Sequence, residues 1–110
     1  MSQADEFRAE IVAEESATVV RLTGEIDIAV APHLRAALDR ASEHARPIVV
    51  DMERVEFIDS VGIAVLLVAA NRARMAQGEF ALRNPTPAAQ RVFDILSLNG
   101  QLPIEHASEH

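Results

Sequence analysis

The chain of 110 residues contains no cysteine and no lysine. Without cysteine it has no disulfide, thiolate nucleophile or cysteine metal site, a composition that suits a reducing compartment and favours the cytoplasm. Its positive charges are arginines scattered along a chain of net charge −7, so the basic patch of a nucleic-acid-binding protein is missing. We therefore expect a protein or a small molecule as partner, with no direct contact to nucleic acid.

Long apolar runs are also missing. The longest, Val61–Ala70, is too short to cross a bilayer, and the first residues, "MSQADEFRAE", lack the basic and apolar regions of a signal peptide. Hydrophobic residues nevertheless make up 49% of the chain, enough for a core that needs no metal or disulfide. No internal repeat or flexible linker divides the chain, so we expect one domain over residues 1–110, without membrane insertion.

Hydrophobic periodicity predicts strands that alternate with helices. The predicted strands are residues 7–13, 17–24, 47–52, 79–83 and 101–105, and the predicted helices are residues 31–45, 60–77 and 87–98. The first two strands are predicted to form a hairpin, because the polar turn Glu14–Ser16 separates them. Each later strand follows a helix, which indicates crossover connections. The fold class is therefore α/β with a mixed, mainly parallel sheet.

Residue types that start and stop helices support these boundaries. Pro32 suits a first helical turn, and Thr86 followed by Pro87 suits the start of the third helix. Gly78 is predicted to end the second helix in a left-handed conformation, and Asn99–Gly100 to end the third. An apolar stripe is predicted to pack the second helix into the core: Ile63, Leu66, Leu67 and Ala70.

The stretch "FIDSVG" places Asp59, Ser60 and Gly62 where the second helix begins. Ser and Asp are preferred caps for the free N–H groups of a helix start, so capping is the simplest role for the pair. A functional role is compatible with capping. Helices that follow parallel strands start at the carboxyl ends of the strands, where open α/β sheets usually have their binding sites. We expect Ser60 to be exposed, and a phosphate on it would meet unpaired N–H donors and the positive end of the helix dipole.

Three segments in this order and spacing resemble the STAS domain family, specifically its stand-alone anti-sigma factor antagonists. They are "LTGEIDIAVAPHLRAAL", "PIVVDMERVEFIDSVGIAVLL" and "LRNPTPAAQRVFDILSLNGQLPI", and the similarity covers Ala9 to Ile104. The resemblance implies a STAS-type sheet with its helices packed on one side. It also implies that Ser60 is phosphorylated by an anti-sigma factor that is itself a serine kinase.

Partner switching is the mechanism that the resemblance implies. The unmodified protein would bind the anti-sigma kinase and free a sigma factor, and phosphorylation of Ser60 would end this binding until a serine phosphatase restored it. The resemblance places Asp27, in "GEID", near the serine and in the kinase contact, although a loop or capping acid is an equal alternative. Asp59 is expected to orient Ser60 or to contact the partner, and as a helix cap it would do neither. Val61 stands where related motifs often carry Ser, Thr or Ala, so Ser60 would be the only acceptor hydroxyl. We expect Val61 and Gly62 to belong to the partner-binding surface, where Gly62 permits a close approach by the partner.

Two other functions are alternatives to partner switching. A STAS subunit of a lipid-handling ABC transport complex would dock a permease or ATPase through the same surface. A hydrolase or nucleotide-processing enzyme is disfavoured, because Ser60 lacks a G-x-S-x-G elbow and the chain lacks a lysine-bearing phosphate loop. We expect no enzymatic activity and no cofactor. His106 and His110 are four residues apart but near the chain end, which favours a solvated terminus over a metal site.

Overall fold

The computed structural model describes residues 6–98 and 100–105. Within them the elements are β1 (Arg8–Ala13), β2 (Thr18–Ile26), α1 (Ala31–Ser42), β3 (Ile48–Ile58), α2 (Ser60–Met75), β4 (Phe80–Arg83), α3 (Pro87–Ile95) and β5 (Ile104–Glu105). One sheet has the order β1-β2-β3-β4-β5, with β1 and β2 antiparallel and the later neighbours parallel. This confirms the predicted α/β class and its mixed, mainly parallel sheet. None of the helices in the described ranges is long and apolar enough to cross a membrane.

The three helices pack on one face of this sheet. Val50 of β3 and Leu82 of β4 are cross-strand neighbours without exposed surface. They belong to one hydrophobic cluster with buried residues from each helix, among them Leu34, Leu66 and Phe93. Burying apolar side chains at about 25 cal/mol per Å² is the main favourable term for such a layer. The core therefore lies between the helices and a single face of the sheet.

The opposite face of the sheet carries a row of alternating charges. The register aligns one charged residue from each strand: Glu10, Arg21, Asp51, Arg83 and Glu105. Arg83 Nε donates a hydrogen bond to Glu105 Oε1 at 2.8 Å, and this bond is the largest cause of the raised pKa of Arg83. Opposite charges on neighbouring strands contribute roughly 0.2–1 kcal/mol per pair. The row thus stabilises strand pairing on the face opposite the helices.

β3 is longer than the sequence predicts. The predicted strand ends at residue 52, whereas β3 continues to Ile58. Its buried residues Met52, Val55 and Ile58 recur at every third position, because the register between β2 and β3 shifts twice. This spacing hides the two-residue alternation by which a strand is recognised. The extension carries the end of β3 beyond β4 and leaves it beside the end of β2.

Gly24, in "GEID", lies at one of these register shifts and has a φ of 100°. A side chain is strained in this conformation, so the position favours glycine. Beyond it the strands pair again, with Glu25 opposite Phe57 and Ile26 opposite Ile58. The glycine therefore allows β2 to reach the same edge of the sheet as β3.

The end of α2 differs by one residue from the prediction. Gln77, and not Gly78, adopts the left-handed conformation, with a φ of 60°. The N–H groups of Gln77 and Gly78 donate to the carbonyl oxygens of Arg74 and Ala73 at 2.9 and 2.7 Å. This is a Schellman motif, in which the left-handed residue comes first and Gly78 supplies the next N–H. The hydrogen bonds compensate for a side chain in a conformation that glycine adopts more readily.

The start of α3 is as predicted and its end is not. Thr86 Oγ1 accepts a hydrogen bond from the Ala89 N–H at 3.2 Å, which confirms the cap. The helix stops at Ile95, because Ser97 turns into the left-handed conformation with a φ of 56°. The predicted stop at Asn99–Gly100 is therefore too late, and Asn99 itself lies outside the described residues.

The first turn of α2 rests directly on the ends of β2 and β3. Gly62 is buried, and a Cβ atom placed on it would lie 2.6 Å from Cγ2 of Ile26 and 3.0 Å from Cγ1 of Ile58. Both isoleucines are core residues, so neither can move away freely. The absence of a side chain at position 62 therefore sets how closely the helix approaches the sheet edge.

Gly62→Ala is expected to destabilise the fold. Overpacking of a filled core costs about 1–3 kcal/mol, and the better helix propensity of alanine offsets at most about 1 kcal/mol. We expect a net loss of about 1 kcal/mol, measured as a lower urea midpoint with an unchanged slope. Gly78→Ala is the matched control, because its new Cβ would only meet the Ala73 carbonyl oxygen at 3.4 Å. Equal midpoints for the two variants would contradict the close packing at position 62.

Candidate functional site

The ends of β2 and β3 form one edge of the sheet, and both predicted acidic residues follow them directly. Ile26 and Ile58 are register partners, and the Asp59 N–H donates to the Ile26 carbonyl oxygen at 3.0 Å. Asp27 is the next residue after Ile26 in the chain. The two loops that carry Asp27 and Ser60 therefore start side by side. We call the edge formed by residues 25–28 and 56–60 the switch edge.

Asp59 caps α2. Its Oδ1 atom accepts hydrogen bonds from the N–H groups of Val61 and Gly62, both at 3.0 Å, and its carbonyl oxygen accepts from Ile63 at 3.0 Å. The side chain is half-buried. The capping role considered for Asp59 is thus the one that the structure shows, and it fixes the chain direction at the helix start.

Ser60 is the first residue of α2 and is exposed. Because Asp59 provides the cap, the serine hydroxyl is not needed for it, and Oγ makes no hydrogen bond with any described residue. The exposure expected for this serine is therefore observed. An exposed, unbonded hydroxyl at a helix start is accessible to a modifying enzyme without local unfolding.

The N–H donors at this helix start are less available than expected. Two of them, from Val61 and Gly62, are already bonded to the Asp59 carboxylate. A phosphate on Ser60 would have to displace that carboxylate to reach them, and otherwise it would project into solvent beside a negative charge. The expectation that a phosphate there would meet unpaired donors is thus wrong for these two groups.

Asp27 shapes the loop between β2 and α1. Its Oδ1 atom accepts from the N–H groups of Ala29 at 3.0 Å and Val30 at 3.3 Å, and its carbonyl oxygen accepts from Val30 and Ala31 at 3.2 and 3.1 Å. These bonds form an Asx-type turn that leads into the helix. These hydrogen bonds give Asp27 a structural role, and the residue is half-buried, so part of it stays accessible.

The remaining two predicted residues have different surroundings. Gly62 is buried, and the approach that it permits is that of Ile26 within the same chain. Val61 is half-buried and lines a groove between α1 and α2. Val61 is thus partly accessible from the groove, whereas Gly62 supports the switch edge from inside. His106 and His110 lie outside the described residues.

Two apolar residues of the switch edge were not singled out by the sequence patterns. Ile28 follows Asp27 and is 71% exposed, and Phe57 lies opposite Glu25 and is 51% exposed. Ile28 directly follows Asp27 and Phe57 lies two residues before Asp59, and apolar residues so near the two motifs are the signal that was available. Exposed large apolar side chains next to an accessible serine are typical of protein contact surfaces.

Carboxylates dominate the charge of this edge. Glu25, Asp27, Glu56 and Asp59 lie on it, within a chain of net charge −7. Among the described residues, no group of three or more His, Cys, Asp or Glu side chains is arranged to hold a metal ion. The edge is therefore suited to a basic protein partner.

Comparison with known proteins gives a consistent assignment. The family model described as "Mlab, STAS domain" matches residues 9–104. The anti-sigma-B factor antagonist of Bacillus subtilis is 28% identical over 103 residues, which cover 94% of each chain. The solved structure of an anti-sigma factor antagonist from Mycobacterium paratuberculosis has a TM-score of 0.84 at 27% identity, covering 98% of this chain and 92% of that one.

A second solved relative, SpoIIAA, was determined in two states. The unphosphorylated anti-sigma factor antagonist has a TM-score of 0.73 at 30% identity and covers 94% of this chain and 90% of its own. The phosphorylated form of this Bacillus cell-fate determinant has a TM-score of 0.69 at 27% identity, with coverages of 94% and 93%. The resemblance carried by "GEID" and "FIDSVG" is confirmed. The chain belongs to the STAS domain family, and these relatives, similar to it over nearly its whole length, are anti-sigma factor antagonists.

Proposed function

We propose that this protein binds an anti-sigma serine kinase and thereby frees a sigma factor, and that phosphorylation of Ser60 switches this binding off. The observation that carries the proposal is the exposed Ser60 hydroxyl, which makes no hydrogen bond with the described residues because Asp59 caps α2. The two states in which SpoIIAA was solved support a switch of this kind. A serine phosphatase would restore the binding form.

The electrostatics of the switch edge explain why a phosphate there would act strongly. A phosphoserine adds about −1.5 to −2 charges. The nearest helix N–H groups are held by Asp59, so the added charge stays at the surface, next to existing carboxylates. A partner that fits the unmodified edge would meet the bulk of the phosphate, and covering the edge would remove water from a dianion that lies beside carboxylates of the same charge. A loss of about 3 to 4 kcal/mol in binding free energy would change Kd by roughly several hundredfold.

The kinase contact would combine polar and apolar residues of the switch edge. Asp27 provides charge, Ile28 and Phe57 provide exposed apolar area, and Ser60 lies at the start of the adjoining helix. Large apolar side chains in the centre of an interface contribute more binding energy than charges at its rim. The catalytic groups for phosphate transfer would belong to the kinase, which makes this chain a regulatory binding protein.

Phosphorylation should add one phosphate, on Ser60. Incubation of the purified protein with its cognate kinase and ATP is expected to raise the intact mass by one phosphoryl group, because Ser60 has an accessible hydroxyl at the switch edge. Ser60→Ala should gain none. Ser16→Ala, which alters an exposed serine in the turn between β1 and β2, is the control and should be phosphorylated like the wild type. Undiminished phosphorylation of Ser60→Ala would refute the site.

Asp27→Asn separates the charge of this residue from its structural role. The amide oxygen can still accept the N–H groups of Ala29 and Val30, so we expect the urea midpoint to stay near that of the wild type. Kinase affinity, measured by calorimetric titration, should fall because a charge opposite the partner is lost. Asp27→Ala should also lose about 1 kcal/mol of stability. Wild-type affinity in Asp27→Asn would leave Asp27 as a structural residue only.

Ser60→Asp should fold normally and bind the kinase more weakly than the wild type, whereas Ser60→Ala should remain a constitutive binder. A carboxylate is compatible with the positive end of the α2 dipole, but it adds a charge beside Asp59 that must lose its water when the partner binds. Circular dichroism checks the fold and calorimetric titration the affinity. If Ser60→Asp keeps the wild-type affinity and only the phosphoserine form loses it, the switch requires the bulk or the second charge of the phosphate. Wild-type affinity in the phosphoserine form would disprove the switch.

Affinity capture from the native cell with Ser60→Ala tests the class of partner. Retention of an ATP-binding kinase is the result expected. Retention of a permease or transporter ATPase through the same edge would replace the proposal with the transport alternative. A double variant, Ile28→Asp with Phe57→Asp, is the matched control for the surface. It should fail to capture either class of partner, because both side chains are exposed on the switch edge.

A further inference from the structure

β1 is an edge strand with its outer side open. In the described residues the sheet ends on one side with β1, which has six residues, and on the other with β5, which has two. Natural sheets protect long edge strands with proline, bulges, covering elements or charges that repel another strand. β1 contains no proline, its register with β2 is unbroken, and no described strand pairs with its outer side. The edge is therefore open to strand addition.

The alternation of hydrogen bonds shows which backbone groups of β1 face this open edge. Thr18 in β2 donates its N–H to the Pro47 carbonyl oxygen, away from β1, although its register partner in β1 is Ala13. Opposite residues of an antiparallel pair alternate between bonded and non-bonded pairs. Ala13 therefore belongs to a non-bonded pair, and so do Ile11 and Ala9 at alternate positions before it. The N–H and C=O groups of these residues point outward.

The side chains on the two faces of this edge differ. Phe7, Ala9 and Ile11 lie on the face that the helices cover, where they are half-buried and pack against the main hydrophobic cluster. Arg8 and Glu10 lie on the other face, where both are exposed and neither forms an ion pair with a described residue. The edge thus offers an incompletely covered apolar layer on one face and two opposite charges on the other.

These features fit a second copy of the same strand. In an antiparallel pair centred on Ala9, the outward groups of Ala9 from the two copies would bond with each other, and Arg8 of each copy would lie opposite Glu10 of the other. Opposite charges across a strand pair are favourable and like charges are unfavourable. A pair centred on Arg8 or Glu10 would place like charges opposite each other, and one centred on Ile11 would place Glu10 opposite Val12. The strand is therefore complementary to itself in the register about Ala9.

We propose that two copies of this chain associate through β1 in this antiparallel register and join their sheets into one. Arg8 of the second copy would continue the row of alternating charges, because it would flank Glu10 on the side opposite Arg21. Phe7 of each copy would lie opposite Ile11 of the other and cover its exposed part. The net charge of −7 on each copy opposes association, so we expect a reversible dimer that depends on protein concentration. This association needs no kinase.

Exchange of the two charges tests this contact. Arg8→Glu places two carboxylates opposite each other at both ends of the strand pair, so we expect the dimer Kd from sedimentation equilibrium to rise about tenfold or more. Glu10→Arg should have the same effect, and its urea midpoint checks the fold because position 10 also faces Arg21. An equimolar mixture of the two variants should form heterodimers as tightly as the wild type dimerises. Arg91→Glu, the same charge change at an exposed residue of α3, is the matched control.

Heterodimers in the mixture, with weak association of each variant alone and normal association of Arg91→Glu, support the β1 contact. A wild-type chain that stays monomeric at about 1 mM overturns it and leaves the edge to a strand of another protein. A dimer that Arg8→Glu does not weaken, or that Arg91→Glu weakens equally, also overturns it. The double variant Arg8→Glu with Glu10→Arg restores both charge pairs and should dimerise like the wild type, and its failure to do so would refute the register about Ala9.

Discussion

The packing of α2 on the paired ends of β2 and β3 is the contact on which the site depends. Ile26 and Ile58 meet across the two strands, and Gly62 allows the helix backbone to lie against them. The hydrogen bond from the Asp59 N–H to the Ile26 carbonyl oxygen joins the two loops at the same point. If this packing were looser, the serine and the acidic loop would no longer share one edge. The position of a surface serine is thus set by buried aliphatic side chains.

Structural and functional roles are divided between adjacent residues at this edge. Asp59 uses one carboxylate oxygen to cap α2, and this leaves Ser60 without a structural task. Asp27 forms a turn with its carboxylate while remaining partly accessible. A modification of Ser60 therefore changes the surface charge without removing a bond that the fold needs. This division would allow the proposed phosphorylation of Ser60 to act as a switch while the domain stays folded.

α2 joins the core to two exposed regions. Its inner side is part of the main hydrophobic cluster, its first residue is the exposed serine, and its outer side exposes Val68 and borders the groove between α1 and α2. The charges differ between its ends, with carboxylates around its start and Arg72 and Arg74 in its last turn. These arginines also interact favourably with the negative end of the helix dipole. One rigid element thus presents both polar and apolar features to a partner.

The fold class, the hairpin, the order of helices and strands, and the Asp59-Ser60 junction could all be predicted from the sequence. These follow from local preferences, namely apolar periodicity, caps and turn residues, which act within a few positions of the chain. Which of the two residues caps α2 was decided by the structure, because both types can accept from a helix N–H. Gln77 and Ser97 adopt the left-handed conformation after α2 and α3, and this too was decided by the hydrogen bonds around them.

Tertiary structure alone decided the features that depend on contact between distant segments. β3 runs to Ile58 because register shifts against β2 change the spacing of its buried residues, which a single strand does not reveal. Glycine is required at position 62 because Ile26, from a distant part of the chain, packs against it. The exposure of Phe57 and Val68 also depends on contacts between distant segments, because these contacts leave the two side chains uncovered. The apolar periodicity of the sequence assigns such residues to the core. Only the folded structure shows which of them remain exposed, because the burial of a side chain depends on all of its neighbours.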